Sequence, residues 1–373
     1  MDAQALKDSW HLVARSGDQV PLFFYSALFL MYPETRDMFP VSMATQRDRL
    51  VGALGRIVSN VDRVDELVPL LQQLGRDHRK FAVVAEHYPA VGHALVTTLK
   101  HFLGDRWTPE LANDWTQAYE LVAKVMTEAA AEAAIATPPW WEGEIIGYEQ
   151  RTLGTAVIRA RLNYPYPFRP GQSASFSFAL RPKLWRFYSF ANAPRQDNTI
   201  DLHVQVVDGG TVSTALVHGT QRGDLLRVGA AVGERLTLNP NLPRDLLLIA
   251  GGTGLAPLKA LVEQVAYEGP MRRVHLFVGA RTYRELYDLE ALAKLDAQHP
   301  WLTVVPVVSH DPFYRGERGY VVDTALRAWR GQEVFVCGSG EMVQATVARL
   351  LDAGVPHEQI RFDEFTTGEG KEP

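Results

Sequence analysis

Cysteine is nearly absent: Cys337 is the only one in 373 residues. A single thiol excludes an internal disulfide framework and an iron–sulfur cluster held by four thiolates. Long apolar runs are missing too. The most apolar stretch, residues 20–32, has Pro21 near its start and Pro33 just beyond it, and it falls short of the roughly 20 residues a bilayer-spanning helix needs. Nor is there an excess of basic charge. A formal net charge of -5 gives no electrostatic grip on nucleic acid or on an anionic membrane. The opening MDAQALKD lacks a basic region followed by an apolar one, so no secretory signal is visible. What remains is ordinary globular composition, 46% hydrophobic and 22% charged, in a chain long enough for two or three cores. The expectation is a soluble, cytoplasmic monomer whose partners are small molecules, not nucleic acid and not a membrane.

The chain changes character twice. Up to about residue 136 the apolar period is helical. Trp107-Thr108-Pro109-Glu110 holds the signals of a helix start, with Thr108 as N-cap, Pro109 at the first helical position and Glu110 in the first turn. The helix it opens runs through DWTQAYELVAKVMTEAAAEAA, and TPPWWEGE (137–144) then breaks the pattern and reads as a linker. Over residues 145–241 short alternating runs such as TAVIRARL and IDLHVQVV are separated by turn-rich segments, the pattern of an antiparallel barrel or sandwich. From Asp245 onward the apolar runs DLLLIA, RVHLFVGA, TVVPVVSH and EVFVCG alternate with helical ones, which indicates a parallel sheet covered on both faces. The expected fold class is therefore multidomain α and α/β. An all-α domain spans 1–137, an antiparallel β-barrel domain 138–242, an α/β parallel-sheet domain 243–365, and a disordered polar tail 366–373.

Two glycine turns in the third segment point to a dinucleotide. DLLLIAGGTGLAPLKAL places Gly251, Gly252 and Gly254 between a buried strand and a helix with Pro257 in its first turn. Glycines let the backbone approach a pyrophosphate, and the helix N-terminus offers it N–H groups and partial positive charge. Pro257 stands where an ordinary dehydrogenase fingerprint has its third glycine. EVFVCGSGEMV repeats the arrangement with Gly338 and Gly340, and in open parallel sheets both turns would face one crevice. In the second segment, Arg186 and Tyr188 of WRFYS share one face of a strand, a guanidinium for a diphosphate and a phenol for a planar ring. Gly209 and Gly210 precede Thr211, Val212 and Ser213 at a helix start, again an anion site.

RFYS (186–189), GGTVS (209–213), GGTGLAP (251–257), CGSGEM (337–342) and FDEF (362–365) together resemble the ferredoxin–NADP reductase superfamily. That resemblance implies that Arg186, Tyr188 and Ser189 contact FAD and that Gly210, Thr211, Val212 and Ser213 meet its pyrophosphate. It also implies that Gly252, Thr253, Gly254, Leu255 and Ala256 hold NADH or NADPH, with Cys337 and Gly338 beside the nicotinamide and Phe365 over the flavin. Arg281 and Arg284 follow the second strand of the last domain and are either contacts for a 2′-phosphate or, as is commoner there, solvated arginines.

The helical segment then needs something to reduce. In RDHRKFAVVAEHYPAVG (76–92), His78 follows Leu71 and Leu74 by seven and four and precedes Phe81 by three, which on a helix puts the imidazole on the apolar stripe. Such a ring is either a core histidine bonded to a carbonyl or a metal ligand. FFYSALF (23–29), PETRDMFP (33–40), TQRDRLVGAL (45–54) and His78 resemble a globin, and the whole chain resembles a flavohaemoglobin. The resemblance implies haem b with iron on His78, Tyr25, Gln46 and Leu50 on the distal side, Phe39 against the haem plane, and Tyr88 orienting the imidazole with a glutamate of the last helix. It further implies nitric oxide dioxygenase activity, in which NO, O2 and NAD(P)H give nitrate and NAD(P)+. An ungapped alignment puts Ala130 at that glutamate's position, with Glu128 and Glu132 two residues away. That departure favours keeping a second expectation beside the first: a flavin reductase whose globin domain senses O2 or redox state, or acts on another substrate.

Overall fold

Helices build the first unit, Met1–Trp140, and strands dominate the second, which begins at Trp141. The computed structural model describes residues 1–269 and 272–365; the tail expected over 366–373 lies outside them. The first unit contains α1 (Ala3–Ala14), α2 (Gln19–Met31), α3 (Ala44–Ser59), α4 (Val64–His78), α5 (Tyr88–Leu103) and α6 (Pro109–Ala136). α6 starts as its sequence dictates, with the Thr108 hydroxyl accepting from the N–H of Leu111 at 3.2 Å and Pro109 at the first position. α1 is tied to α6 where Trp115 Nε1 donates to the buried Ser9 hydroxyl at 3.0 Å. α4 and α6 cross with their backbones in contact. A Cβ on Gly75 would lie 2.2 Å from the carbonyl oxygen of Met126, so only glycine permits this crossing, three residues before His78.

The chain leaves this unit sooner than its prolines suggest. Half of the stretch that reads as a linker is strand: β1 (Trp141–Thr152) begins with buried Trp141, Gly143 and Ile145 alternating with exposed glutamates. Pairing on both sides, with β2 (Thr155–Leu162) and β6 (Leu225–Val232), overrides the local break. With β3 (Ser173–Phe178), β4 (Trp185–Ser189) and β5 (Thr199–Gln205) they form a six-stranded antiparallel sheet in the order β4-β3-β6-β1-β2-β5. Its ends approach each other, since Phe190 just beyond β4 bridges Leu202 on β5 and the N–H of Ala191 donates to the carbonyl of Asp201 at 2.8 Å. This curls the sheet toward the expected barrel. One helix, α7 (Thr211–Gly219), packs Val212, Leu216 and Val217 into its core.

The remainder is a parallel sheet in the order β10-β9-β8-β7-β11-β12. Its strands are β7 (Leu246–Gly251), β8 (Val274–Ala280), β9 (Leu302–Val308), β10 (Glu317–Arg318), β11 (Glu333–Ser339) and β12 (Ile360–Phe365). The helices α8 (Leu255–Glu268), α9 (Leu289–Gln298), α10 (Val321–Ala328) and α11 (Gly340–Asp352) alternate with them. Two separate apolar clusters, one around Leu248 and Leu258 and one around Ile249 and Val336, cover its faces, as near-continuous apolar strands require. The order in which strands are added reverses between β7 and β11, which run parallel and pair Ala250 with Cys337. Both expected glycine turns therefore leave neighbouring strand ends at the switch point, where such sheets bind ligands.

Candidate functional site

α2 buries one face almost without polar relief, and Tyr25 lies on it at 6% exposure. The 3-10 turn Pro33–Met38 returns the chain so that Phe39 meets Tyr25 edge-on at 5.4 Å, with Phe29 at the same distance from Phe39. The Tyr25 hydroxyl donates to the main-chain carbonyl of Gln46, in the first turn of α3, at 3.3 Å. Leu50, one turn further on, packs against the same cluster. The three residues expected on the distal side, Tyr25, Gln46 and Leu50, are thus together with Phe39, and Gln46 meets the phenol through its main-chain carbonyl as well as its side chain. Burial pushes that phenol from 10 up to about 12, and the Gln46 contact pulls it slightly back. Between pH 10 and 12 the unfolded chain releases this proton while the folded unit keeps it, so stability falls as pH rises through that window. Thermal melts of the helical unit should show that decline, with a shallower slope in Tyr25→Phe.

His78 is the last residue of α4. Its Nδ1 lies 2.7 Å from the carbonyl oxygen of Leu74, one turn back. A carbonyl only accepts, so Nδ1 carries a proton, and in the neutral ring this is the tautomer that presents the Nε2 lone pair a metal ligand needs. The carbonyl-bonded core histidine and the ligand are therefore compatible descriptions of one ring. The helix does not continue to Phe81 as the spacing implies. Residues Arg79–Phe81 tighten into a 3-10 turn that ends at Ala82, whose φ of 58° is left-handed. The Phe81 ring nonetheless stands edge-on to the imidazole, 6.4 Å away.

Tyr88 opens α5 and packs, half-buried, against the cluster of Leu67, Leu71 and Met126. Its main-chain carbonyl accepts from the Tyr119 hydroxyl at 2.6 Å. Tyr119 was not legible as a functional residue. Gly92 makes room for it, since a Cβ there would meet the ring at 2.5 Å. On α6, Ala130 is partly buried, whereas Glu128 and Glu132 are exposed and Glu128 pairs with Lys124 at 4.0 Å. Neither glutamate turns toward the core in place of the expected one.

These residues fit a haem. The unit's core is split into two clusters, one with Tyr25 and one with Leu71 and Met126. Phe39, Leu50 and Leu54 border the first and Leu74 and Tyr88 the second, all incompletely covered. A split apolar core with uncovered aromatic and leucine walls suits a flat apolar group. Among the described residues no group of three or more His, Cys, Asp or Glu side chains could hold a metal ion by itself.

In the second unit, β4 presents Arg186 and Tyr188 on alternate positions of an edge strand. Tyr188 contacts Phe176 and Phe178 edge-on at 6.1 and 6.2 Å. Arg186 Nη1 donates to the carbonyl of Trp185 at 2.9 Å. Ser189, at the strand end, is buried. Gly210 caps α7, and a Cβ on it would lie 2.7 Å from Ser213 Oγ and 2.9 Å from the Val207 carbonyl oxygen. Val212 is in the core, and the Ser213 hydroxyl accepts from Val207 N–H at 3.1 Å. What Thr211, Val212 and Ser213 offer an anion is thus the helix N-terminus itself. The set fits a flavin diphosphate.

At the switch point Gly252 adopts φ +53°, and a Cβ on Gly254 would lie 2.1 Å from the carbonyl oxygen of Cys337. Leu255 and Ala256 are buried as α8 begins, with Thr253 in the 3-10 turn before it. Gly338 lies against Met342, where a Cβ would approach Sδ to 3.0 Å. Cys337 itself is fully buried, and burial holds its thiol well above the usual range. Phe365 ends β12 opposite Ser339 and packs on the apolar cluster of the sheet. Arg281 is gripped by Glu285, Nη2 to Oε1 at 3.1 Å.

A group of polar residues between the two sheets was missed. His203 on β5 bonds Tyr287 at 2.7 Å, and Lys259 on α8 meets buried Asp288 at 2.8 Å. Burial and the nearby Lys259 push the His203 imidazole down to about 3. The available signal was Lys259 and Glu263, charged residues at helical spacing in α8, which reads as a solvated face.

The chain matches the globin family over residues 22–126, the oxidoreductase FAD-binding domain over 149–235 and the oxidoreductase NAD-binding domain over 248–348. It is 26% identical to a flavohemoprotein of Bacillus subtilis (strain 168), covering 97% of this chain and 96% of that one. It is 32% identical to the ferredoxin–NAD(P)+ reductase component of the naphthalene 1,2-dioxygenase system of Pseudomonas putida, over 61% of this chain and 69% of that protein. A solved flavohemoglobin from Malassezia yamatoensis with bound FAD and heme shares the fold, with a TM-score of 0.74 over 98% of both chains at 18% identity. No helix among the described residues is long and apolar enough to cross a membrane.

Proposed function

Because this chain belongs to the flavohaemoglobin family, a globin joined to an FAD- and NAD-binding reductase, we propose that it is an NAD(P)H-dependent nitric oxide dioxygenase. When bound, FAD would supply the exchange between hydride and single electrons, and haem the chemistry that combines NO and O2 into nitrate. The observation that carries the reading is the Nδ1–H of His78 held by the Leu74 carbonyl, which in the neutral ring makes Nε2 the ligating nitrogen. That bond also fixes the ring's orientation. In the other cluster the Tyr25 phenol, protonated to about pH 12, is a donor throughout the physiological range and would suit an oxygen that gains negative charge. The N-termini of α7 and α8 hold the two diphosphates through backbone N–H groups. Glu285 offsets the charge of Arg281, which leaves less for a 2′-phosphate and favours NADH over NADPH. Domain limits of 1–137, 138–242 and 243–365, action as a monomer and a cytoplasmic location belong to the same proposal.

The lack of a glutamate at Ala130 favours a second reading, in which the globin senses O2 or redox state. One experiment separates them. The NADH-reduced, oxygenated protein is mixed with NO in a stopped-flow instrument and nitrate is measured. Repeated turnover with stoichiometric nitrate is expected; one turnover or none would favour the sensor.

A further inference from the structure

The two sheets of the second unit meet along one side of α8, and the ties there are polar. α8 is the helix that begins at the Gly252–Gly254 turn. From it, Glu263 accepts from the main-chain N–H of Ala193 at 3.1 Å and from Arg195 Nη2 at 3.3 Å. Arg195 in turn holds Asp201 of β5 at 3.0 Å. One turn earlier on α8, Lys259 reaches Asp288, whose other carboxylate oxygen makes no hydrogen bond and lies 3.7 Å from Arg151 of β1. The His203–Tyr287 bond crosses between the same two sheets. The turn itself touches β5, since a Cβ on Gly252 would come within 3.3 Å of Gln205 Oε1.

Such a seam resists displacement. Asp288 is 1% exposed, and parting it from Lys259 and Arg151 would leave a buried charge uncompensated. His203 and Tyr287 are both neutral, so their bond keeps one form across the working pH range. We propose that His203, Tyr287, Lys259 and Asp288 are positioning residues, which hold the dinucleotide turn against β5 at the separation hydride transfer requires. The proposal rests on the reading of the FAD and NAD(P)H sites above. Its signature is a rate effect at constant affinity, because a misplacement of about 1 Å between reactants can cost on the order of a hundredfold in rate.

The test uses the full chain loaded with FAD. Tyr287→Phe removes the hydroxyl and keeps the ring; Lys259→Met combined with Asp288→Asn removes the ion pair at similar volume. Flavin reduction by NADH and by 4-deuterated NADH is followed in a stopped-flow instrument. NAD+ affinity is measured by calorimetry, and amide exchange is followed over residues 200–205 and 252–256. In each variant we expect flavin reduction to slow about tenfold, the isotope effect to rise, NAD+ affinity to stay within about twofold, and exchange to accelerate in both segments together. A lower melting temperature with unchanged hydride rate, or a loss of affinity that accounts for the whole rate change, would overturn it. If the unmodified protein's flavin accepts no hydride from NADH or NADPH, the functional reading fails instead, and coupled exchange of the two segments then decides the seam alone.

Discussion

His78→Ala, supplied with haemin and FAD, is expected to purify as a yellow protein without a Soret band. No other histidine of the helical unit is placed to substitute. His93 is bonded to the Tyr32 hydroxyl at 3.0 Å, His101 is stacked on Phe23 at 4.1 Å, His87 accepts from Val84 N–H at 3.2 Å, and His11 is exposed on α1. The loss should be complete, because His78 is the one side chain proposed to hold the iron. His78→Gly with added imidazole should recover the band, which distinguishes a missing ligand from a collapsed fold. An unchanged Soret band in His78→Ala would refute the assignment.

Tyr25→Phe is the second large effect. The phenol's hydrogen bond within the protein, 3.3 Å to a carbonyl, is long, so its removal costs the fold little. A hydrogen bond to an oxygen that carries charge is worth roughly 1.5–3 kcal/mol, or about one to two factors of ten in a rate constant. Dioxygen dissociation from the reduced protein should therefore quicken by about 10- to 100-fold, and nitrate turnover should fall with it. Stopped-flow displacement of dioxygen by carbon monoxide measures the first. A dissociation rate within twofold of the parent, roughly, would remove Tyr25 from the distal role.

Local signals explain why so much of this was readable. Thr108 and Pro109 start α6 where capping chemistry says they must, and Gly254 of GGTGLAP sits where backbone meets backbone. The triplet Leu71, Leu74 and His78 located α4 although Pro69 interrupts it. Failures came where partners are distant in sequence. Trp141 became strand because β2 and β6 flank it, which the neighbouring prolines do not reveal. Phe81 left the helix at the left-handed Ala82, a backbone state that alanine does not announce. Lys259 and Glu263 resemble a solvated face until the antiparallel sheet is docked on them. Tyr119 became relevant only once Gly92 admitted its ring.

The burial of Cys337 has a chemical consequence for a protein proposed to work amid nitric oxide and oxygen. Nitrosation and peroxide oxidation both proceed through an accessible thiolate. The only sulfhydryl here is sealed inside the parallel sheet and holds its proton firmly. The molecule thus presents nitric oxide and oxygen with no accessible thiolate, and cross-linking between copies through oxidised thiols is closed to it as well.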